Sequence, residues 1–81
     1  MMDILFFGRL SDAAPNISAA KPVDVVDTDS LIKWLSDKNE GLGDELAKAG
    51  NRIAVNKVIV TDNTPLNDTD EVAFMSPLSG G

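Results

Sequence analysis

The sequence has 81 residues, with 13 acidic and 7 basic side chains and a formal net charge of −6. A chain of this length forms one small domain, and its acidic balance argues against a nucleic-acid partner, which requires a concentrated basic face. Because the chain contains no cysteine and no histidine, it lacks thiol chemistry, the commonest metal ligand and the usual general base near neutral pH.

The first part of the chain predicts two strands separated by a loop. Met2–Leu10 is an apolar run of strand length, rich in aromatic and branched residues. Alternation along a strand places Phe6 on one face and Phe7 on the other. Ser11–Asn16 contains turn-forming residues and is predicted as a loop. Ile17–Val26 is predicted as the second strand.

Two helices are predicted next. Thr28–Ser30 supplies N-cap residues before an apolar helical face, and this helix is expected to end near Asn39–Gly41. Trp34 lies on that face and is interpreted as a core residue, because large aromatic side chains dominate burial in small domains. Asp44–Ala49 predicts a shorter helix, closed by Gly50 as its C-cap.

The last third of the chain predicts three strands. Arg52–Val55 and Lys57–Thr61 form a hairpin through Asn56, and Glu71–Met75 alternates like a half-buried strand. Two strands, a main helix and a return of strands predict an α+β fold of the β-grasp type. We expect a mixed sheet of about four to five strands, with the main helix covering one face.

The sequence ends in a short uncharged segment. Pro77 lacks a backbone donor and stops strand pairing, and Gly80 and Gly81 have the widest backbone freedom. We therefore divide the chain into a domain at residues 1–76 and an extended, flexible C-terminal tail at residues 77–81. Two glycines alone are also consistent with a frayed terminus. A strand that leads directly into the tail favours a functional segment, whose reactive group would be the terminal carboxylate.

Several segments together resemble the family of molybdopterin synthase small subunits, which are ubiquitin-like sulfur carriers. The segments that carry the resemblance occur in the same order and span the chain: Ile4–Gly8, Ala54–Asn56, Pro65–Phe74 and Pro77–Gly81. The sequence departs from the family at Thr69, where glycine is frequent, and this change is expected to alter the turn. It also departs at Met75 and Ser76, and serine in place of proline is expected to loosen the base of the tail.

The resemblance implies a sulfur carrier that is not an enzyme on its own. An E1-like activating enzyme would use ATP to adenylate the Gly81 carboxylate, and a sulfur source would displace AMP to leave a thiocarboxylate. The tail would then enter the large subunit of molybdopterin synthase, whose side chains would catalyse sulfur transfer to cyclic pyranopterin monophosphate. The residues expected to thread into that subunit are Pro77, Leu78, Ser79 and Gly80. No cofactor is expected to bind this chain.

Alternation along the strands also indicates an interface. Phe7, Ile59 and Met75 share faces with polar residues and should be exposed if the helix covers the opposite face of the sheet. Large apolar side chains clustered at the base of a tail suggest a protein interface. The alternative is that sheet twist or the second helix buries them. The resemblance implies that these three positions pack against the large subunit.

Three other functions remain open. These are a sulfur carrier for thiamine thiazole synthesis, a ubiquitin-like protein modifier, and a plain interaction domain whose tail does no chemistry. The longer middle segment and the run Asp68–Phe74 favour the molybdopterin interpretation over the thiamine one.

The sequence also bears on membranes, metals and location. No apolar run is long enough to span a bilayer, and Met1–Asp3 lacks the basic start of a signal peptide. We therefore expect a cytoplasmic protein with no membrane partner. The acidic residues near the turns do not follow the spacing of a calcium loop, so no metal site is predicted.

Overall fold

The computed structural model describes residues 1–77. Leu78, Ser79, Gly80 and Gly81 lie outside the described residues, and with them most of the predicted tail and its predicted flexibility. The elements in chain order are β1 (Met2–Phe7), α1 (Arg9–Ala13), β2 (Ile17–Ala19), α2 (Thr28–Lys38), α3 (Glu40–Leu46), β3 (Arg52–Val55), β4 (Val58–Val60) and β5 (Glu71–Met75).

The five strands form one mixed sheet in the order β2-β1-β5-β3-β4. β5 is the central strand and pairs parallel with β1 and antiparallel with β3. The outer pairs, β1 with β2 and β3 with β4, are antiparallel. The first and last strands of the described chain, β1 and β5, are therefore hydrogen-bonded neighbours at the centre of the sheet.

The hydrophobic core lies between one face of the sheet and the three helices. Phe6 and Phe74 pair in register and their rings stack, with centroids 5.7 Å apart and an interplanar angle of 16°. The buried residues that form the core cluster are Met2, Ile4, Phe6, Leu10, Ala14, Val25, Leu31, Leu35, Leu42, Leu66, Val72 and Phe74. This arrangement confirms the predicted α+β, β-grasp fold with a mixed sheet.

The start of α2 is fixed by a hydrogen-bond network around Asp27. Asp27 Oδ1 accepts a hydrogen bond from the Ser30 backbone N (2.8 Å), and the Asp27 backbone N donates to Ser30 Oγ (3.0 Å), so the two residues form a capping box. Asn63 Nδ2 donates to Asp27 Oδ2 (3.1 Å), so the loop before β5 is tied to the same cap. The N-cap is therefore Asp27, one residue before the predicted Thr28–Ser30.

The predicted hairpin between β3 and β4 is confirmed. Asn56 and Lys57 have φ angles of 51° and 71°, the left-handed backbone that two-residue hairpin turns require. The Asn56 side chain donates to Asp70 Oδ1 (2.9 Å) and accepts from the Glu71 backbone N (3.0 Å). The hairpin thus holds the start of β5. The turn before β5 needs no glycine, because Thr69 is not among the positive-φ residues of the described chain.

Two predicted strands are too long. β1 ends at Phe7 instead of Leu10, because Gly8 (φ 66°) turns the chain into α1, where Leu10 is fully buried. β2 ends at Ala19 instead of Val26. The residues after Ala19 include Pro22, which cannot donate to a strand ladder.

The second predicted helix is displaced along the sequence. α3 occupies Glu40–Leu46 instead of Asp44–Ala49. It begins early because the Asn39 side chain accepts a hydrogen bond from the Leu42 backbone N (3.1 Å) and caps the helix. Gly50 has a φ of 92° but is not the C-cap, which is Ala47.

Trp34 is only partly buried. Its ring packs against the core cluster, and the Lys38 ammonium lies 4.7 Å from the ring centroid on the solvent side. The core interpretation therefore applies to one side of the indole, while the other side lies beneath a cation.

The Asp27 cap predicts a specific pH dependence of stability. The Ser30 backbone hydrogen bond, with those of the Ser30 and Asn63 side chains, lowers the pKa of Asp27. A lowered folded-state pKa contributes stability that is complete above the unfolded-state pKa and is lost as pH falls through the folded-state pKa. Asp27→Asn should therefore be less stable than wild type at neutral pH, and this difference should shrink below about pH 4, near the ordinary aspartate pKa.

The measurement is the urea unfolding midpoint of both chains across acidic and neutral pH. Asp44→Asn is the matched control, since Asp44 is exposed on α3 and accepts no side-chain hydrogen bond among residues 1–77. Its difference from wild type should stay small. A wild-type advantage over Asp27→Asn that is constant or grows on acidification would contradict the assignment.

Candidate functional site

The sheet face opposite the helices, called here the open face, is organised in three rows of residues that pair across the strands. The first row joins Asp3 of β1 to Glu71 of β5 and is acidic. The second row runs through Leu5, Ala73, Ala54 and Ile59 and is apolar. The third row joins Phe7, Met75 and Arg52 and lies at the end of β5 that leads to the tail.

The structure brings two of the three predicted interface residues into direct register. Phe7 pairs with Met75 across β1 and β5. Ile59 lies on the same face but two strands from β5, so about 10 Å of sheet, at about 4.8 Å per strand, separates it from the second row's Ala73. Ala54 lies between them, and the side chains of Ala54 and Ala73 are smaller than those of Leu5 and Ile59 at the two ends of this row.

The exposure of these side chains follows from which face the helices cover. Phe7 is 48% exposed and Ile59 is 50% exposed, while Met75 is partly buried beside its neighbours. The alternative that the second helix buries them is wrong, because the buried leucines of the helices pack with Ile4 and Phe6 on the opposite face. The predicted exposure is thus confirmed for Phe7 and Ile59 and only partial for Met75.

The sequence analysis did not identify Arg52 as part of this face. Arg52 is exposed and pairs with Met75 in the row nearest the tail. Strand alternation alone cannot find it, because its place depends on the non-local register between β3 and β5. The open face therefore has an acidic row at one end and an arginine at the other.

The base of the tail is held more firmly than the sequence suggested. Ser76 Oγ accepts a hydrogen bond from the Arg9 backbone N (2.8 Å), and the Ser76 backbone N lies 3.5 Å from the Phe7 carbonyl oxygen. The sequence predicted that serine would loosen this base, whereas the structure shows that its hydroxyl makes a hydrogen bond that proline cannot make. Pro77 is exposed, whereas the other predicted threading residues and Gly81 lie outside the described residues.

Neither a metal centre nor a membrane span is found in the described part of the chain. Among residues 1–77, no three carboxylate, histidine or cysteine side chains come together as metal ligands. No helix within the same range is long and apolar enough to cross a bilayer.

Comparison with known sequences identifies similar proteins over the full length of the chain. The family described as the ThiS family matches residues 4–81. The molybdopterin synthase sulfur carrier subunit of Escherichia coli (strain K12) is 27% identical over 81 residues and covers 100% of both chains. The protein of the same name from Mycobacterium tuberculosis (strain ATCC 25618 / H37Rv) is 31% identical over 83 residues, covering 99% of this chain and 96% of that protein. These relatives confirm the resemblance drawn from the sequence.

Comparison with solved structures confirms the fold. SAMP1 from Haloferax volcanii superposes with a TM-score of 0.78 at 16% identity, covering 99% of this chain and 98% of that chain, a likeness of fold alone. The complex of subunits 1 and 2 of molybdopterin-converting factor from Helicobacter pylori 26695 contains a chain with a TM-score of 0.62 and 27% identity. The match covers 99% of this chain and 97% of that one.

Because the two faces of β1 differ in burial, the same substitution on each face should lower the free energy of unfolding by different amounts. Phe6→Ala removes a ring that is 2% exposed and stacked on Phe74, and it should lower the free energy of unfolding by about 3–5 kcal/mol. Phe7→Ala removes a half-exposed ring on the open face and should cost about 1 kcal/mol or less. Urea unfolding of both variants at an unchanged m-value measures the difference. Equal losses would mean that the open face is part of the core.

Proposed function

Because the chain belongs to the ThiS family, we propose that it is a sulfur carrier for molybdopterin biosynthesis, acting as the small subunit of molybdopterin synthase. The observation that carries this proposal is the end-to-end match to the E. coli sulfur carrier subunit, which includes Gly80 and Gly81. Both curated relatives carry the molybdopterin name, which favours this role over thiamine thiazole synthesis.

The reactive group in this proposal is the carboxyl group of Gly81. An E1-like enzyme joins a carboxylate oxygen to the α-phosphate of ATP and releases pyrophosphate. The resulting acyl adenylate is a good electrophile. A hydrosulfide-equivalent donor then attacks the carbonyl carbon, the new C–S bond forms, and AMP leaves with the electrons of the broken C–O bond. The product is a thiocarboxylate, which needs no cysteine in this chain.

The open face would supply the affinity for the large subunit. Ordering an extended segment costs about 1–2 kcal/mol of backbone entropy per residue, so a tail that enters another protein needs an anchor outside the segment itself. Phe7, Met75 and Ile59 are exposed or partly exposed on the face beside the tail base. The H. pylori structure, a complex of two subunits of molybdopterin-converting factor, supports a protein partner of this kind.

The transfer of sulfur to cyclic pyranopterin monophosphate would take place inside the large subunit. This chain has no histidine or cysteine to act as an acid, base or nucleophile. Its contribution is to deliver the thiocarboxylate, and the side chains that catalyse the transfer belong to the partner. Two loaded carriers are needed for the two sulfur atoms of the dithiolene. The same delivery step is therefore repeated.

The loading step is tested by intact mass spectrometry. Incubation with ATP, a sulfur donor and the activating enzyme from the same organism should raise the mass by the exchange of one oxygen for one sulfur, located at Gly81. A chain lacking Gly81 should not gain this mass, because the carboxylate is then one residue too short. Gly41→Ala is the control and should load like wild type, since a Cβ at Gly41 meets only Asn39 Oδ1 at 3.5 Å. An unmodified wild-type chain with a competent activating enzyme would refute sulfur carriage.

The docking step is tested by calorimetric titration with the purified large subunit. The double variant Phe7→Ser/Ile59→Ser should raise the dissociation constant by about tenfold or more, because apolar anchor residues dominate interface energies. Val58→Ser is the matched control. Val58 is 64% exposed on the same strand as Ile59, but its side chain points to the other face of the sheet. Equal weakening by the control, or none by the double variant, would rule out docking through the open face.

A further inference from the structure

Two glycines with positive φ angles lie on either side of the point where the chain leaves the sheet. Gly8 (φ 66°) follows β1, and Gly50 (φ 92°) precedes β3. β1 and β3 are the two neighbours of β5. Both glycines are therefore adjacent to Ser76 and Pro77, the residues that follow β5.

Gly8 makes room for the side chain of Ser76. A Cβ built on Gly8 would overlap Ser76 Oγ and lie 3.4 Å from Ser76 Cβ. Ser76 Oγ uses this space to accept the hydrogen bond from the Arg9 backbone N at 2.8 Å. The backbone of Gly8, with φ 66° and ψ −138°, is in a region that residues with a Cβ rarely adopt. Glycine at this position thus permits the contact that fixes Ser76.

Gly50, which has no side chain, leaves room for the ring of Pro77 in the same way. A Cβ on Gly50 would lie 2.8 Å from Pro77 Cγ, 3.8 Å from Cδ and 3.9 Å from Cβ. A proline ring cannot rotate away as a flexible side chain can, because it is closed onto the backbone nitrogen and fixes φ. Any side chain at Gly50 must therefore move Pro77 itself.

We propose that Gly8 and Gly50 are positioning residues that aim the C-terminal tail. This inference rests on the proposed sulfur-carrier function. Both glycines lie against the two residues that follow β5. They act through Ser76 and Pro77, whose placement sets the direction from which residues 78–81 begin.

The geometry explains why such aim matters. The four residues that follow Pro77 span at most about 14 Å when fully extended. When a partner's channel holds that segment straight, a rotation of about 20° at Pro77 would shift its far end by about 5 Å. Because a misplacement of about 1 Å can slow a reaction by about a hundredfold, a small change at the tail base is enough to impair delivery.

The experiment is a double-mutant cycle on Gly50→Ala and Pro77→Ala. Alanine at 77 removes Cγ and Cδ, the ring atoms nearest the new Cβ, and leaves a Cβ at an ordinary distance. The backbone strain of alanine at position 50 is the same in both backgrounds, so it cancels in the cycle. The coupling between the two changes therefore reports the contact with the proline ring.

Carriers loaded with sulfur in advance are mixed with saturating large subunit and cyclic pyranopterin monophosphate, and the single-turnover transfer rate is measured beside the dissociation constant. Gly50→Ala should slow transfer by about tenfold to a hundredfold, with docking affinity within about twofold of wild type, since the open face is untouched. Pro77→Ala in that background should restore most of the rate. A loading defect in Gly50→Ala that Pro77→Ala repairs supports the same conclusion.

A wild-type rate for Gly50→Ala, or the same loss with proline and with alanine at position 77, would overturn the inference. Gly41→Ala, whose new Cβ makes only an ordinary contact with Asn39 Oδ1 at 3.5 Å, should transfer at the wild-type rate. Should Gly50→Ala fail to fold, Pro77→Gly serves instead, because it frees the tail base at an exposed position. It should slow transfer without a loss of stability, and an unchanged rate would likewise overturn the inference. If the wild-type chain itself never accepts sulfur, the proposed function fails, and the two failures are thereby distinguished.

Discussion

The pairing of β5 between β1 and β3 is the constraint on which the rest of the structure depends. Val72 and Phe74 are almost fully buried on the core side of this central strand, and the Phe6–Phe74 stack joins the first strand to the last. The same pairing places Phe7 beside Met75 and Arg52 beside Met75 on the opposite side. One strand therefore organises both the core and the open face. A change of register by one residue would exchange the two sets of side chains and destroy both.

The small size of the chain explains why one face of the sheet is uncovered. The three helices are short, and their buried leucines all join the same core cluster. A domain of this length buries a smaller fraction of its surface than a larger one does, and within residues 1–77 no further element lies over Phe7 and Ile59. The two alanines between them, Ala54 and Ala73, are themselves nearly buried by their larger neighbours. The face is thus apolar without protruding, which suits a surface that is covered by a partner.

Local patterns in the sequence predicted the features that depend on local physics. The alternation of Phe6 and Phe7 and the tight turn at Asn56 and Lys57 follow from the strand period and from turn chemistry, and both were found.

The predictions from sequence failed where tertiary contacts determine the local structure. β1 stops at Gly8 because Leu10 enters the core through α1, and α3 starts early because Asn39 caps it. The hydrogen bond at Ser76 was not predicted, because its donor, the Arg9 backbone N, is 67 residues away in sequence. The place of Arg52 beside Met75 depends on a strand register that one sequence does not specify.

Because the chain contains neither cysteine nor histidine, the proposed function depends mainly on how the fold positions its open face and its tail base. Under the proposed function, such a chain would contribute to sulfur transfer through binding and placement. Binding depends on a face that stays exposed, and placement depends on where the chain leaves the sheet. Under the proposal, the central position of β5 serves both needs. Met75 lies on β5 itself and Phe7 on its neighbour β1, and Gly8 and Gly50 lie beside the ends of β1 and β3 nearest the tail. In the proposed role, β5 would therefore connect the docking face to Ser76 and Pro77 at the base of the tail through one paired strand.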